Sequence, residues 1–99
     1  MTHPATAAGR VAVVTGAANG IGLASVKRYA SFGMKVCMAD VDEEALSAAA
    51  KDVIEIASGG SDDVMTMKTD VGRREDIHAL KDAVYDQFGE VAVLMNNAA

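Results

Sequence analysis

An α/β fold built on a doubly wound parallel sheet is predicted by three observations in this 99-residue sequence. Four short apolar runs alternate with segments of helical spacing. The runs are largely apolar instead of alternating in polarity. A glycine-rich turn, Thr15-Gly16-Ala17-Ala18-Asn19-Gly20-Ile21-Gly22, joins the first run to the first helical segment. Strand, helix and strand in repetition give parallel strands joined by right-handed crossovers. Uniformly apolar strands belong in a sheet covered on both faces.

Residues 1–8 are expected to form a flexible tail, and residues 9–99 the N-terminal part of a single domain. The first strand is Val11 to Val14. The next helix, from about Gly20 to Phe32, carries Val26, Tyr29 and Ala30 inward and stops at Gly33. The second strand is Lys35 to Ala39. In the second helix Leu46, Ala49, Ala50 and Val53 fall at i, i+3, i+4 and i+7, one apolar stripe, with Asp42 placed to cap its start. Ser58-Gly59-Gly60-Ser61 reads as a loop inside the domain. Val64 to Met67 is the third strand. Ile77, Leu80, Val84 and Phe88 make the third helical stripe, ended by Gly89, where a left-handed cap is favoured. Val91 to Met95 is the fourth strand.

Composition narrows the function classes. The chain is 51% hydrophobic and 23% charged, as expected of a globular domain. A net charge of −5 and a pI near 4.8 argue against a nucleic-acid or anionic-membrane surface. The apolar runs are far too short for a signal-peptide core or a membrane span. The single cysteine, Cys37, lies inside an apolar run, so no disulfide framework exists and a buried thiol in a reducing, cytoplasmic compartment is expected.

All strands of such a sheet end on the same edge. Gly16, Asp40, Asp70 and Asn96, each just after an apolar run, should therefore gather in one crevice although 24 to 30 positions separate successive members. The glycine turn there has the features a pyrophosphate requires, namely free backbone N–H groups, the positive end of a helix dipole and no side chains in the way. Gly16 permits a sharp exit from the strand, Gly20 brings the helix start near the phosphates, and Gly22 lets helix and strand pack closely. Asp40, ~20 residues past the glycines, is placed to accept hydrogen bonds from adenosine ribose hydroxyls. It would repel a 2′-phosphate, and positions 18, 19 and 41 carry no Lys or Arg, so NAD is preferred over NADP. The simpler role for Asp40 is to help Asp42 cap the next helix.

Thr15-Gly16-x-x-x-Gly20-Ile21-Gly22, Asp40, Asp70-Val71 and Asn96-Asn97-Ala98 together resemble the cofactor-binding motifs of the short-chain dehydrogenase/reductase family, in its order and spacing. The resemblance runs from about Gly9 to the end. It implies a Rossmann-type fold with strand order 3-2-1-4, here truncated, and makes residues 9–99 part of a dinucleotide-binding domain. It further implies that Gly16, Asn19, Gly20 and Ile21 line the pyrophosphate, that Gly22 closes the turn and that Asp40 holds the ribose. The Asp70 side chain and Val71 backbone would contact adenine. Asn97 would contact cofactor, while Asn96 ties the fourth strand into the sheet. Two departures stand out: Ala92 where the family usually has Asp, and Ala99 where it usually has Gly.

The family's catalytic serine, Tyr-x-x-x-Lys pair and further Asn lie beyond this sequence. Tyr29 and Tyr85 have glycine four residues on, His3 and His78 have no second ligand nearby, and no catalytic residue or metal site is assigned. With order 3-2-1-4, two crossover helices fall on one sheet face and a single helix on the other, leaving apolar surface bare. The chain is therefore expected to be part of a longer parent, a homodimer or homotetramer by resemblance, and to be marginal or aggregating alone. Two functions fit. One is hydride transfer between NAD and a small carbonyl or alcohol substrate, with this chain as the cofactor-binding half. The other is a non-catalytic dinucleotide-binding module or redox sensor. Neither uses nucleic acid or a membrane as partner.

Overall fold

The computed structural model describes residues 7–97. Most of the N-terminal tail (residues 1–6) and the expectation at Ala99 lie outside the described residues. Strands β1 (Val11–Thr15), β2 (Lys35–Asp40), β3 (Val64–Lys68) and β4 (Val93–Asn96) alternate with helices α1 (Gly20–Ser31), α2 (Glu43–Ile56) and α3 (Arg74–Phe88). All three pairings are parallel, as the strand–helix alternation predicts, and the order is β3-β2-β1-β4, as the family resemblance implies. Val13 of β1 is in register with Cys37 of β2 and Leu94 of β4, and Cys37 with Met65 of β3.

The period-two alternation of β1 and β2 divides the core. Ala12, Val14, Val36 and Met38 face α1 and α2, where Val26, Ala30, Leu46, Ala50 and Val53 complete one buried cluster. Val11, Val13, Cys37 and Ala39 face the other way onto Leu80 and Val84 of α3. The two central strands are therefore covered on both faces, which explains their unbroken apolar sequences. The edge strands are not. Thr66 and Lys68 of β3 are exposed, and Leu94 of β4 remains 65% exposed because one helix cannot cover the width of four strands. Between α3 and β4 this leaves an apolar groove of about 400 Å³ walled by Val13, Leu80, Val84, Tyr85 and Leu94.

Caps fix the helix ends. The Asp42 carboxylate accepts the Ala45 N–H at 3.0 Å, and Glu43 and Glu44 add negative charge to the first turn of α2. α1 ends on Phe32, with Gly33 next at φ 84, and α3 on Gly89 at φ 80, both in the left-handed region that glycine adopts without strain. At the opposite edge from the glycine turn, Arg10 donates to both oxygens of Glu90 at 3.1 and 2.9 Å, and the Lys35 ammonium lies 5.6 Å from the Phe88 ring centre.

Two local expectations change. Within the segment read as a loop, Gly60 and Ser61 enter a short 3-10 helix, Gly60–Asp63, held because the Asp63 carboxylate accepts the Gly59 N–H at 2.9 Å. Strand β4 begins at Val93, two residues later than its apolar run. Val91 packs into the cluster beneath α3, and the Ala92 N–H donates to the Val11 carbonyl at 2.9 Å, so the run starts as core and is tied to β1 one residue before the strand begins. Among the described residues no helix is long and apolar enough to cross a membrane.

Candidate functional site

Because the sheet is parallel, the ends of β1, β2, β3 and β4 lie along one edge, and the segments leaving them build the site. The first is the glycine turn. Gly16 takes φ 65 and breaks the strand direction, but the Ala17 N–H still reaches the Ala39 carbonyl at 3.1 Å. Asn19 is the extended N-cap of α1 and Gly20, at φ 59, its first residue. A Cβ on Gly20 would have nothing within 4 Å, so this side of the turn faces open space. Ile21 is 71% exposed beside it.

Gly22 is placed in the opposite way. Its Cβ would fall 2.1 Å from the Gly16 carbonyl oxygen and 2.9 Å from Nδ2 of Asn97, so no side chain fits between helix, turn and fourth strand. The Asn97 amide itself reaches the Gly16 carbonyl at 3.5 Å. The first turn of α1 contains no acidic residue, whereas those of α2 and α3 hold Glu43 and Glu44, and Glu75 and Asp76. Among these helices, α1 alone presents the positive end of its dipole without side-chain carboxylates over it.

Asp40 joins the turn to the end of β2. Its Oδ2 accepts the Ala18 N–H and its Oδ1 the Asp42 N–H, both at 3.0 Å. The capping role considered for it is thus partly right: Asp40 holds the backbone of the capping residue, while Asp42 makes the cap. At the end of β3, the Thr69 N–H donates to the Asp40 carbonyl at 2.9 Å, which brings Asp70 and Val71 alongside. The Asp70 carboxylate accepts the Gly72 N–H and the Asp76 carboxylate the Asp70 N–H, each at 2.9 Å, forming a tight turn before α3. Asp70 is exposed and Val71 half-buried.

The structure therefore places Gly16, Asn19, Gly20, Ile21, Gly22, Asp40, Asp70, Val71 and Asn97 in segments that all leave one sheet edge. Direct contacts link the turn to Asp40 through Ala18 and to Asn97 through Gly16 and Gly22. Asn96 accepts a 2.9 Å hydrogen bond from the Thr15 hydroxyl, joining β4 to β1 by side chains as well as by the ladder. In the sequence Thr15 stands out only as part of the glycine motif. It is 3% exposed, and its hydroxyl also accepts the Asn97 N–H at 3.1 Å, so it fixes the segment leaving β4 against the one leaving β1. The signal available for that role is a hydroxyl residue closing an otherwise aliphatic central strand.

Other reactive groups lie elsewhere. Burial beneath α3 pushes the Cys37 thiol up to about 12, far from nucleophilic use. His78 is exposed, and among the described residues no group of three or more His, Cys, Asp or Glu could hold a metal ion.

Comparison with known proteins agrees with this geometry. The sequence profile of the short chain dehydrogenase family matches residues 10–99. The chain is 35% identical over 96 residues to 3beta-hydroxysteroid dehydrogenase 2 of Eggerthella lenta, an overlap of 97% of this chain and 35% of that protein. It is 44% identical over 89 residues to 1-deoxy-11-beta-hydroxypentalenate dehydrogenase of Streptomyces exfoliatus, covering 90% of this chain and 31% of the relative. The chain thus spans about a third of the length of the curated relatives it matches. A short chain dehydrogenase/reductase from Burkholderia phymatum, solved in complex with NAD, superposes with a TM-score of 0.81 at 39% identity, over 88% of this chain and 30% of that one. The C-domain of a bacterial malonyl-CoA reductase, solved with NADP, superposes with a TM-score of 0.88 at 31% identity, over 97% of this chain and 16% of that one. With nine-tenths of its length inside the family profile, the chain belongs to the short-chain dehydrogenase family.

Proposed function

We propose that this chain is the cofactor-binding half of an NAD-dependent dehydrogenase or reductase that moves hydride between the nicotinamide and a small carbonyl or alcohol substrate. One observation carries the reading: the open side of the glycine turn at Gly20 and the Asp40 carboxylate stand on the same edge, linked through the Ala18 N–H. A dinucleotide needs both, an anion seat for its pyrophosphate and an acceptor for its ribose. The cradle fits the group, since the turn is open where phosphate would approach and closed where helix must meet strand.

In this reading the backbone of Gly16, Asn19, Gly20 and Ile21 lines the pyrophosphate under the N-terminus of α1, and Gly22 keeps that terminus against the turn. Each oxygen of Asp40 makes one backbone hydrogen bond and retains a lone pair for a ribose hydroxyl. The same negative charge disfavours a 2′-phosphate, which supports NAD over NADP. Asp70 and Val71 border the adenine, and Asn97 meets the cofactor beyond Gly16. The cofactor, when bound, supplies the hydride chemistry, while the residues described here bind and orient it. Residues 9–99 are then the N-terminal part of one dinucleotide-binding domain. The whole protein is placed in the cytoplasm as a homodimer or homotetramer, with no nucleic-acid or membrane partner.

The test is nicotinamide absorbance during incubation of the native protein with NAD and a panel of alcohols, and with NADH and the matching carbonyls. Turnover in either direction is expected. Retained NADH binding without turnover of any pair would favour the non-catalytic module instead.

A further inference from the structure

We propose that Asn19-Gly20 is a site of spontaneous deamidation, and that the modification places a carboxylate in the anion-binding turn. Three asparagines occur in the sequence, Asn19, Asn96 and Asn97. They differ in the residue on their C-terminal side and in the hydrogen bonds their side chains make. The side chain of Asn96 accepts from Thr15 and that of Asn97 donates to Gly16, and the next residues, Asn97 and Ala98, carry a Cβ that crowds attack by their own nitrogen. Asn19 is exposed and precedes glycine. It occupies the N-cap position, yet its carboxamide makes no capping hydrogen bond, unlike Asp42 on α2. Its backbone, at φ −160 and ψ 177, lies outside the helix.

The nucleophile is equally accessible. The Gly20 N–H is the first of the helix N-terminal donors that have no intrahelical partner, and no Cβ shields it. The positive end of the α1 dipole stabilises the negative charge that develops on this nitrogen as it loses its proton. Gly20 N then attacks Cγ of Asn19. The new N–Cγ bond closes a five-membered succinimide as the Cγ–Nδ2 bond breaks, and the nitrogen of the amide leaves as ammonia. Water opens the ring at either carbonyl, giving aspartate or isoaspartate at position 19. No oxidation or reduction occurs.

Both products put a full negative charge at the N-terminus of the one helix whose first turn holds no acid. Isoaspartate also adds a methylene to the backbone of the turn. The expected consequence is a protein that loses affinity for an anionic ligand with age. This consequence rests on the dinucleotide reading of the turn, whereas the chemistry at Asn19 does not.

The test uses the natively folded protein, aged in mildly alkaline and mildly acidic buffer and then digested with trypsin. Cleavage after Arg10 and Lys27 gives a peptide, Val11–Lys27, with Asn19 as its sole asparagine, while Asn96 and Asn97 fall in a different peptide. The expected result is the mass gain of an amide becoming a carboxyl in Val11–Lys27, faster in alkaline buffer, split between two isomers and absent from Asn19→Ser. Aged protein should bind NADH about tenfold or more weakly than fresh protein, in step with the modified fraction. An unchanged Val11–Lys27 mass in aged folded protein overturns the proposal, as does aged, modified protein that binds NADH as tightly as fresh protein. Failure of fresh protein to bind NADH would overturn the dinucleotide reading and the affinity consequence with it, while the peptide mass decides the chemistry independently.

Discussion

Oδ2 of Asp40 lies 3.0 Å from the backbone nitrogen of Ala18, so a carboxylate at the end of the second strand holds the glycine turn that leaves the first. The other oxygen holds Asp42 at the start of α2. Asp40 thus shapes the turn, and on the proposed dinucleotide reading its substitution should affect stability and cofactor choice together.

Asp40→Ala removes both acceptors and should lower stability by about 1–2 kcal/mol. That is below the sum for two hydrogen bonds to a charged group, because the site is partly exposed and water replaces part of each. Asp40→Asn keeps an oxygen for one of the two and should cost about half as much. Urea midpoints of the three proteins check this, and a loss of only a few tenths for Asp40→Ala would show that the carboxylate does not hold the turn.

Gly22 and Gly20 should respond differently to the same methyl group. Gly22→Ala drives a Cβ to within 2.1 Å of the Gly16 carbonyl, which only separation of helix and strand can relieve. A loss of ~3 kcal/mol or failure to fold is expected. Gly20→Ala meets no neighbour but must adopt φ 59, costing roughly 1–2 kcal/mol. Thermal melts of the two variants should keep that order.

Much of this arrangement is legible in the sequence. Apolar runs and helical stripes settle the element order, since Leu46, Ala49, Ala50 and Val53 can share a face only in a helix, and all four are buried there. The spacing of Gly16, Asp40, Asp70 and Asn96 puts them at one edge once the sheet is parallel. The pairing of individual donors and acceptors is not legible. Asp40, Asp70 and Asp76 each accept from backbone N–H groups, and Thr15 holds the end of β4; such bonds depend on dihedral angles that no periodicity encodes. The 3-10 helix at Gly60–Asp63 escapes a reading of the sequence for the same reason, as its signal is an Asp63 carboxylate folding back onto Gly59.

Cys37 gives a pH signature. Its thiol titrates at about 12 in the folded protein against 9.0 when unconstrained. The raised value means that the folded state keeps the proton where the unfolded state has lost it. The contribution is complete below pH 9.0 and is lost as pH rises toward about 12. Cys37→Ala should cost about 1 kcal/mol at neutral pH through lost packing. It should also flatten the decline in stability across that alkaline window, as measured by urea unfolding at a series of pH values. Identical pH profiles for the two proteins would contradict the burial argument.

The apolar surface left open between α3 and β4 predicts a solubility effect. Leu94 and Tyr85 are 65% and 50% exposed, next to the outer edge of β4, which pairs with no further strand among the described residues. For the 99-residue polypeptide by itself, Leu94→Glu should raise the concentration at which it stays monomeric, while changing stability by no more than about 0.5 kcal/mol. Light scattering against concentration reads the first, and a urea midpoint the second.

If the glycine turn and Asp40 form a seat for NAD, as proposed, a two-dimensional amide NMR titration of the isotope-labelled protein with NADH and with NADPH will show it residue by residue. The amides of Asn19, Gly20, Ile21 and Gly22, with Val41 and Val71, should shift on addition of NADH. They should shift in the same direction only at higher NADPH concentration, and Asp40→Ala should bring the two curves together. Shifts confined to other regions, or equal responses of the native protein to both nucleotides, would contradict the account.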